Sequence, residues 1–159
     1  MSIAPQLRQF LDEAQVDYDI VEHRPTRSAM ETAKSCDIPA ERLAKAVLLD
    51  TADDDHLLAV LPSDRKVELS ELRTELGRKP RLSGEAEVGK LFRDCELGSV
   101  PPVGYDITTI VDDTLDQQPD VYFEAGDHKS LVHMNGTEFS RLTQNARHGR
   151  FSEPWVDPE

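Results

Sequence analysis

The chain has 159 residues, which is the usual size of one domain and enough to bury a single apolar core. No apolar run approaches the roughly 20 residues that cross a bilayer, and acidic residues occupy the N-terminal stretch where a signal peptide would be apolar. The net charge of -13 argues against a protein that coats nucleic acid nonspecifically, because phosphate contacts need clustered Lys and Arg. We therefore expect one domain, a cytoplasmic location and no membrane partner.

Helices and short strands are interspersed along the whole chain. Ser28 and Glu31 form a capping box, the signature of a helix start, and Gly77 is of the type that follows a helix end. Two apolar runs on either side of an acidic segment predict a hairpin of buried strands at the centre of the sheet. The predicted elements, in chain order, are a helix at 3–14, a strand at 17–22, a helix from 28, strands at 45–49 and 56–61, helices at 67–76 and from 83, strands at 107–111, 121–124 and 131–134, and a helix from 137.

Nothing in the sequence marks a boundary between domains. We find no internal repeat, no low-complexity linker and no shift in composition. The pattern therefore predicts a single domain of mixed α/β class over residues 1–145. The tail at 146–159 lacks periodicity and contains Pro154 and Pro158, so we expect it to be flexible.

Three features are candidates for chemistry once the common motifs are excluded. The chain has no Gly-x-Ser-x-Gly elbow, no phosphate-binding Gly-rich loop and no His, Cys or acidic residues at metal-ligand spacing, so we predict neither a metal nor a cofactor. Lys45 begins a strand and shares its face with apolar residues, a pattern most typical of a lysine whose ammonium reaches water. Two glycines and two prolines make 98–104 a shaped loop. His133 lies in a strand-like run, where histidine is usually structural, although imidazole can shuttle a proton near neutral pH.

A basic cluster stands out in this acidic chain. Such a cluster is more typical of a solvated helix face, and the functional alternative is a surface that meets an RNA end. A saline cytoplasm would also account for the overall acidity. The candidate RNA-binding residues are Arg65, Lys66, Arg73, Arg78, Lys79 and Arg81.

Taken in order, these features resemble the YbaK family, the trans-editing domains that are also found inserted in bacterial prolyl-tRNA synthetases. The resemblance covers nearly the whole chain, and it is the shared order of the segments that is specific. It implies a central mixed, partly barrel-like β-sheet flanked by short helices. The matching segments are His23, Thr32-Ala33, 44–48, 61–69, Leu76-Gly77, 98–104, 110–112 and 121–126.

The resemblance also implies roles for individual residues. In the family, activity is most closely tied to the lysine at the position of Lys45, and the Gly-x-x-Pro-Pro loop, here starting at Gly98, holds the terminal ribose and the aminoacyl group. Synthetase-inserted relatives carry a histidine seven residues after a glycine, the spacing that separates Gly126 from His133. We therefore expect Lys45, Gly98 and His133 to be catalytic. The expected substrate-binding residues are Ser99, Val100, Pro101, Pro102, Val103, Gly126 and His23.

The activity implied by the resemblance is that of a freestanding aminoacyl-tRNA deacylase. Such an enzyme hydrolyses the ester of a mischarged small amino acid, of the Ala, Cys, Ser or Thr class, and so proofreads in trans. Its candidate partners are the 3' aminoacyl end of mischarged tRNA and an aminoacyl-tRNA synthetase. Asp127-His128 and Ala46 depart from the residues of several relatives, which leaves the choice of amino acid open. The alternatives are a noncatalytic module that binds aminoacyl-tRNA or a synthetase, and a hydrolase of another small aminoacyl ester.

Overall fold

A mixed eight-stranded β-sheet forms the centre of the computed structural model, which describes residues 3–51, 55–96 and 98–155. Short helices cover the sheet, and a two-stranded sheet lies beside it. The helices are α1 (Pro5–Ala14), α2 (Ala29–Ser35), α3 (Leu69–Leu76), α4 (Glu85–Leu91) and α5 (Gly136–Leu142), with short 3-10 helices at Ala40–Arg42 and Asp113–Gln117. The strands are β1 (Asp19–Glu22), β2 (Leu43–Asp50), β3 (His56–Pro62), β4 (Arg65–Val67), β5 (Arg81–Leu82), β6 (Thr108–Asp112), β7 (Asp120–Glu124), β8 (Ser130–Asn135), β9 (Arg147–Gly149) and β10 (Ser152–Pro154).

The strand order of the large sheet is β1-β8-β7-β2-β3-β6-β9, with β5 added to the end of β2. β2 and β3 form an antiparallel hairpin that is paired from Ala44 to Asp50. On its other side β2 is parallel to β7, but only Leu43 and Ala44 take part in this pairing. Beyond Ala44 the two strands no longer pair with each other, although β2 continues into Lys45 and β7 continues into Glu124. The candidate site described below lies at this interruption.

Alternation along β2 sends successive side chains to opposite faces of the sheet. Ala44 and Leu48 join the largest apolar cluster, which α1 and α5 cover. Leu49, on the opposite face, packs with Leu72 of α3 and with Phe151. A smaller cluster joins Leu43 of β2 to α2 on that same face. Between α2 and α3, the odd-numbered face of β2 carries Lys45.

The elements predicted from periodicity and capping are confirmed in type and in order. Ser28 caps α2, with its hydroxyl oxygen accepting a hydrogen bond from the Glu31 amide at 3.1 Å. Gly77 ends α3 with a φ of 69°, the left-handed conformation that glycine adopts without strain. The hairpin and the three later strands are present, and the mixed α/β fold is confirmed. Part of the acidic segment between the hairpin strands, residues 52–54, lies outside the described residues.

The segment after residue 145 differs from the expected flexible tail. β9 pairs with β6, β10 pairs with β4, and Phe151 between them is fully buried. Arg65 fixes this arrangement by donating hydrogen bonds to the hydroxyl and carbonyl oxygens of Ser152 at 2.7 and 2.9 Å. Each strand is too short to show an alternating pattern, so the sequence carried no periodic signal there. The last expected tail residues, 156–159, lie outside the described part of the chain.

The described helices include none that is both long and apolar enough to cross a membrane. Cys36 and Cys95 are free thiols.

Candidate functional site

A cavity of about 250 Å³ opens at the point where β2 and β7 stop pairing. One wall is the part of β2 just beyond Ala44, which no longer pairs with β7, and Glu124 at the end of β7 lies on the other side. α2 with the loop before it, α4, and two loops that carry Gly98 and His128 complete the enclosure. The lining residues are Thr26, Arg27, Ser28, Ala29, Thr32, Leu43, Ala44, Lys45, Ala46, Leu48, Glu85, Val88, Gly98, Val100, Glu124 and His128.

Lys45 forms part of the cavity wall, and its ammonium group lies beside the C-terminal segment. Nζ is 5.5 Å from the centroid of the Trp155 ring, within the range of a cation–π interaction. Burial lowers the pKa of Lys45 from its ordinary value, and the carboxylate of Asp64 offsets part of this shift. The Oδ1 atom of Asp64 is buried and accepts no hydrogen bond from the described residues. Lys45 is therefore a half-buried cation at the cavity, held next to an aromatic ring and a carboxylate.

The glycine-proline loop contributes its first part to the cavity and its remainder to the core. Gly98 has a φ of 84°, and a Cβ at this position would lie 3.4 Å from Cε1 of His128. Gly98 and Val100 line the cavity, whereas the Ser99 side chain is buried and its hydroxyl donates to the Glu96 carbonyl at 2.8 Å. Three residues expected to bind substrate are buried and do not line the cavity: Pro101, Pro102 and Val103. Those three residues shape the loop that presents Gly98.

A buried histidine and a buried carboxyl group meet at the end of β7. Nε2 of His23 lies 3.2 Å from Oε1 of Glu124, and the two side chains are only 1% and 12% exposed. Nδ1 of His23 lies 2.7 Å from the Arg24 carbonyl oxygen, so Nδ1 must carry a proton because a carbonyl can only accept. Nε2 is thus the ring nitrogen that faces the Glu124 carboxyl group. Burial raises the pKa of Glu124 above its usual value, while His23 and, more weakly, His128 act in the opposite direction.

The structure does not bring His133 to the cavity. Its Nδ1 lies 2.7 Å from Asp19 and its Nε2 lies 2.9 Å from Asp120, and its ring stacks on Tyr122 with centroids 4.4 Å apart. The reason is the strand register: β8 runs antiparallel to β7, so residue 133 lies opposite Tyr122 and away from the end of β7 that carries Glu124. The spacing of seven residues between Gly126 and His133 does not reveal this register.

Gly126 also lies outside the cavity wall. It has a φ of 99°, and a Cβ there would come within 2.7 Å of the Ala4 Cβ and 3.1 Å of the Cys95 Sγ. Its carbonyl accepts a hydrogen bond from the Glu96 amide at 2.7 Å. Gly126 is thus required where the N-terminal segment and the loop before Gly98 approach the β7–β8 turn.

The residues of the basic cluster differ in the partners that they have within the chain. Arg65 is bound to Ser152, and Arg73 and Lys79 are exposed. The other three form ion pairs within the chain: Lys66 with Glu153 at 3.2 Å, Arg78 with Asp55 at 3.6 Å and Arg81 with Asp50 at 3.9 Å. Besides Lys45, the cavity wall contains a second cation, Arg27, which the sequence did not single out.

Sequence reasoning missed two further groups of the cavity, Glu124 and His128. His128 has a φ of 57° in the segment between β7 and β8, and its closeness to Gly98 depends on the fold. Glu124 ends a buried strand, where a carboxyl group is unusual, and this was the one signal available. Among residues 3–51, 55–96 and 98–155, no three His, Cys, Asp or Glu side chains converge in the manner of a metal site.

Solved structures match the chain over nearly all of its length. A structure described as "hypothetical protein APE2540" superposes with a TM-score of 0.84 at 22% identity, covering 93% of this chain and 99% of the other. One described as "a putative trans-editing enzyme for prolyl tRNA synthetase" gives 0.81 at 22% identity, covering 96% and 99%. A "Putative signal transduction protein" from Marinobacter aquaeolei VT8 gives 0.77 at 22% identity, with 98% of this chain matching 31% of that one. No curated protein matches the sequence significantly.

These identities establish the shared fold. The sequence model of the aminoacyl-tRNA editing domain matches residues 23–142, a range that contains every residue of the cavity wall. Because this match spans well over half of the chain, the protein belongs to the aminoacyl-tRNA editing domain family, as its resemblance to the YbaK family predicted.

Proposed function

We propose that this protein is an aminoacyl-tRNA deacylase that acts in trans and removes a mischarged small amino acid of the Ala, Cys, Ser or Thr class. The observation that carries the proposal is the cavity between β2 and β7, which brings Lys45, the Gly98 loop and His128 together inside the family match. Action in trans is supported by the match to 99% of a chain described as a trans-editing enzyme.

The chemistry is the attack of water on the ester that joins the amino acid to the terminal adenosine. An activated ester needs a positioned reactant more than a strong nucleophile. Backbone N–H groups around Gly98 stabilise the negative charge that develops on the carbonyl oxygen. Lys45 holds a phosphate or the carbonyl of the substrate at the cavity.

His128 takes the water-orienting role that the sequence had suggested for His133. Its ring lies against Gly98, and its nitrogens make no hydrogen bond to the described residues. A free imidazole nitrogen next to the loop that binds the carbonyl is suited to accept a proton from water. His133, by contrast, has both nitrogens occupied by carboxylates.

The cavity dimensions support a small substrate side chain. About 250 Å³ is below the roughly 300–1,000 Å³ of typical ligand pockets, and it must accept the aminoacyl group and part of the ribose. Ala46, Val88 and Val100 provide apolar walls. Each methylene in such a pocket gives about 1–3 kcal/mol of discrimination, so neighbouring amino acids are distinguished by rate and not absolutely.

The testing experiment measures amino acid release from tRNAs mischarged with Ala, Cys, Ser or Thr. We expect one ester to be cleaved much faster than the others. Stable esters together with measurable tRNA binding would instead support a noncatalytic binding module. Cleavage of a small aminoacyl methyl ester at the same rate as the tRNA ester would favour a hydrolase that does not depend on RNA, an option consistent with the net charge of -13.

Arg27 is our candidate for contact with the tRNA end, because it is exposed and lines the cavity. A lysine or arginine that binds a phosphate makes binding weaker as salt increases. We expect Arg27→Glu to raise the KM for tRNA and to reduce its salt dependence. Arg73→Glu, at an exposed position of α3, is the matched control. An equal effect of both variants would indicate that the basic cluster contacts the tRNA as well. Adding a synthetase to the same assay tests the second candidate partner.

A further inference from the structure

The cavity contains a carboxyl group whose charge has only one fixed partner. Glu124 lines the cavity with a side chain that is 12% exposed, and His23 contacts only its Oε1 atom. Its second oxygen, Oε2, accepts no hydrogen bond from the described residues. A buried carboxylate is unfavourable unless donors satisfy its lone pairs, and it has about four such sites. Because Oε2 is not one of the fully buried atoms that lack a partner, it is accessible from the cavity, where a donor of a ligand can reach it.

The other charged groups of the cavity do not supply that donor. Arg27 and Glu85 are exposed. The Lys45 ammonium lies beside Trp155 and next to Asp64. Within the described residues, the only side-chain hydrogen-bond partner of the Glu124 carboxyl group is therefore His23.

We propose that Glu124 binds the α-ammonium group of the aminoacyl ester, so that the cavity selects esters with a free α-amino group. The proposal rests on the proposed function, because the aminoacyl ester supplies the ammonium. An ammonium has three N–H donors and a full charge, and its hydrogen bonds to a carboxylate are roughly twice as strong as neutral ones. A ligand without this charge would leave Glu124 with an unfilled site.

His23 positions Glu124 for this contact. Its Nδ1–H donates to the Arg24 carbonyl, which fixes the ring and directs Nε2 toward Oε1. An ammonium at the other oxygen favours the carboxylate form of Glu124 and hence a proton on Nε2. The two donors would then hold the carboxylate from opposite sides.

The experiment measures binding, so that it does not depend on turnover. The probes are 3'-amino-3'-deoxyadenosine joined by an amide bond to alanine, and the same compound with an acetylated α-amino group. We expect the wild-type protein to prefer the free amine, and Glu124→Gln to weaken its binding by roughly 10- to 150-fold, the range for a hydrogen bond to a charged group. Binding of the acetylated probe should change by less than about threefold, within the scatter of such contacts.

Glu85→Gln is the matched control, since it removes the exposed carboxylate of the same cavity, and it should leave both probes unaffected. Equal loss of both probes in Glu124→Gln, at an unchanged melting temperature, would overturn the proposal, as would a wild-type protein that does not distinguish the probes. Absence of deacylation in the tRNA panel would refute the proposed function alone, because the preference for the free amine is measured without cleavage.

Discussion

Two clusters of histidine and carboxyl groups lie on the same sheet, and they differ in what they leave unused. At the cavity, His23 occupies one oxygen of Glu124, and both Oε2 and the ring of His128 remain without hydrogen bonds to described residues. At the other cluster, both nitrogens of His133 are taken by Asp19 and Asp120. The same residue types thus form a site for a ligand in one place and a clamp between strands in the other. The difference lies in the free donors and acceptors, which residue identity does not reveal.

The largest expected effect is a difference in deacylation between variants of two lysines that lie near the same aromatic ring. The ammonium groups of Lys45 and Lys66 both lie 5.5 Å from the Trp155 centroid, but only Lys45 lines the cavity. Lys45→Ala should reduce kcat/KM for deacylation by roughly 100- to 1,000-fold, the cost of removing one group that stabilises a transition state. Lys66→Ala should change it by less than about twofold, because its ion pair with Glu153 is exposed. Near wild-type deacylation by Lys45→Ala would show that this lysine is not needed for catalysis.

Two histidine variants bear directly on the contrast between the clusters. His128→Gln should lower kcat by about 100-fold, the low end of a general-base contribution, without a large change in melting temperature. His133→Gln should leave kcat within about twofold, since its partners are all structural. Single-turnover deacylation with each variant checks this. Loss of activity in His133→Gln, with the fold retained, would restore the role that the sequence had suggested.

Glycine variants distinguish a position at the cavity from one in the scaffold. Gly126→Ala should destabilise the protein by about 1–3 kcal/mol, because its Cβ would overlap with Ala4 at a φ of 99°. Gly98→Ala has a positive φ as well, but its Cβ meets His128 at 3.4 Å, an ordinary contact. We therefore expect a smaller loss of stability and a larger loss of turnover for Gly98→Ala. Chemical denaturation and deacylation rates measure the two effects, and the reverse ranking would show that Gly98 is a scaffold residue.

The smallest expected effect is the pH dependence of the stability that His133 contributes through Asp19 and Asp120. Burial lowers the pKa of His133, but its hydrogen bonds to Asp120 and Asp19 raise it, and the net direction is upward. A raised histidine pKa contributes stability that is present below the unfolded value of about 6.5 and is lost as pH rises through the folded value. The free energy of unfolding should thus exceed that of His133→Gln by about 0.2–1 kcal/mol near pH 5.5. This difference in the free energy of unfolding should become smaller toward about pH 9. A difference that increases with pH would contradict the raised pKa of His133.

Local patterns in the sequence predicted the helices and strands. The register of strand pairing decided which side chains meet at the cavity. Apolar periodicity and capping were sufficient for the hairpin, for α3 and for the start of α2 at Ser28. Lys45 and Gly98 came from the family resemblance and do meet at one cavity. His133 was chosen by its spacing from a glycine, but the antiparallel pairing of β7 and β8 puts it opposite Tyr122. His128 was overlooked because turn residues give no periodic signal, and its closeness to Gly98 arises from two loops far apart in sequence.

The C-terminal strands bear on how a shortened version of this protein should be designed. The family match ends at residue 142, which invites a fragment that stops there. Such a fragment would remove β9 from one edge of β6 and β10 from β4. It would also remove Phe151 from its contact with Leu72, and the Trp155 ring from beside the Lys45 ammonium. The boundary of sequence similarity and the boundary of the folded unit are therefore different in this chain. Recombinant versions should extend through Trp155, and comparisons with shorter relatives should ask what replaces that ring.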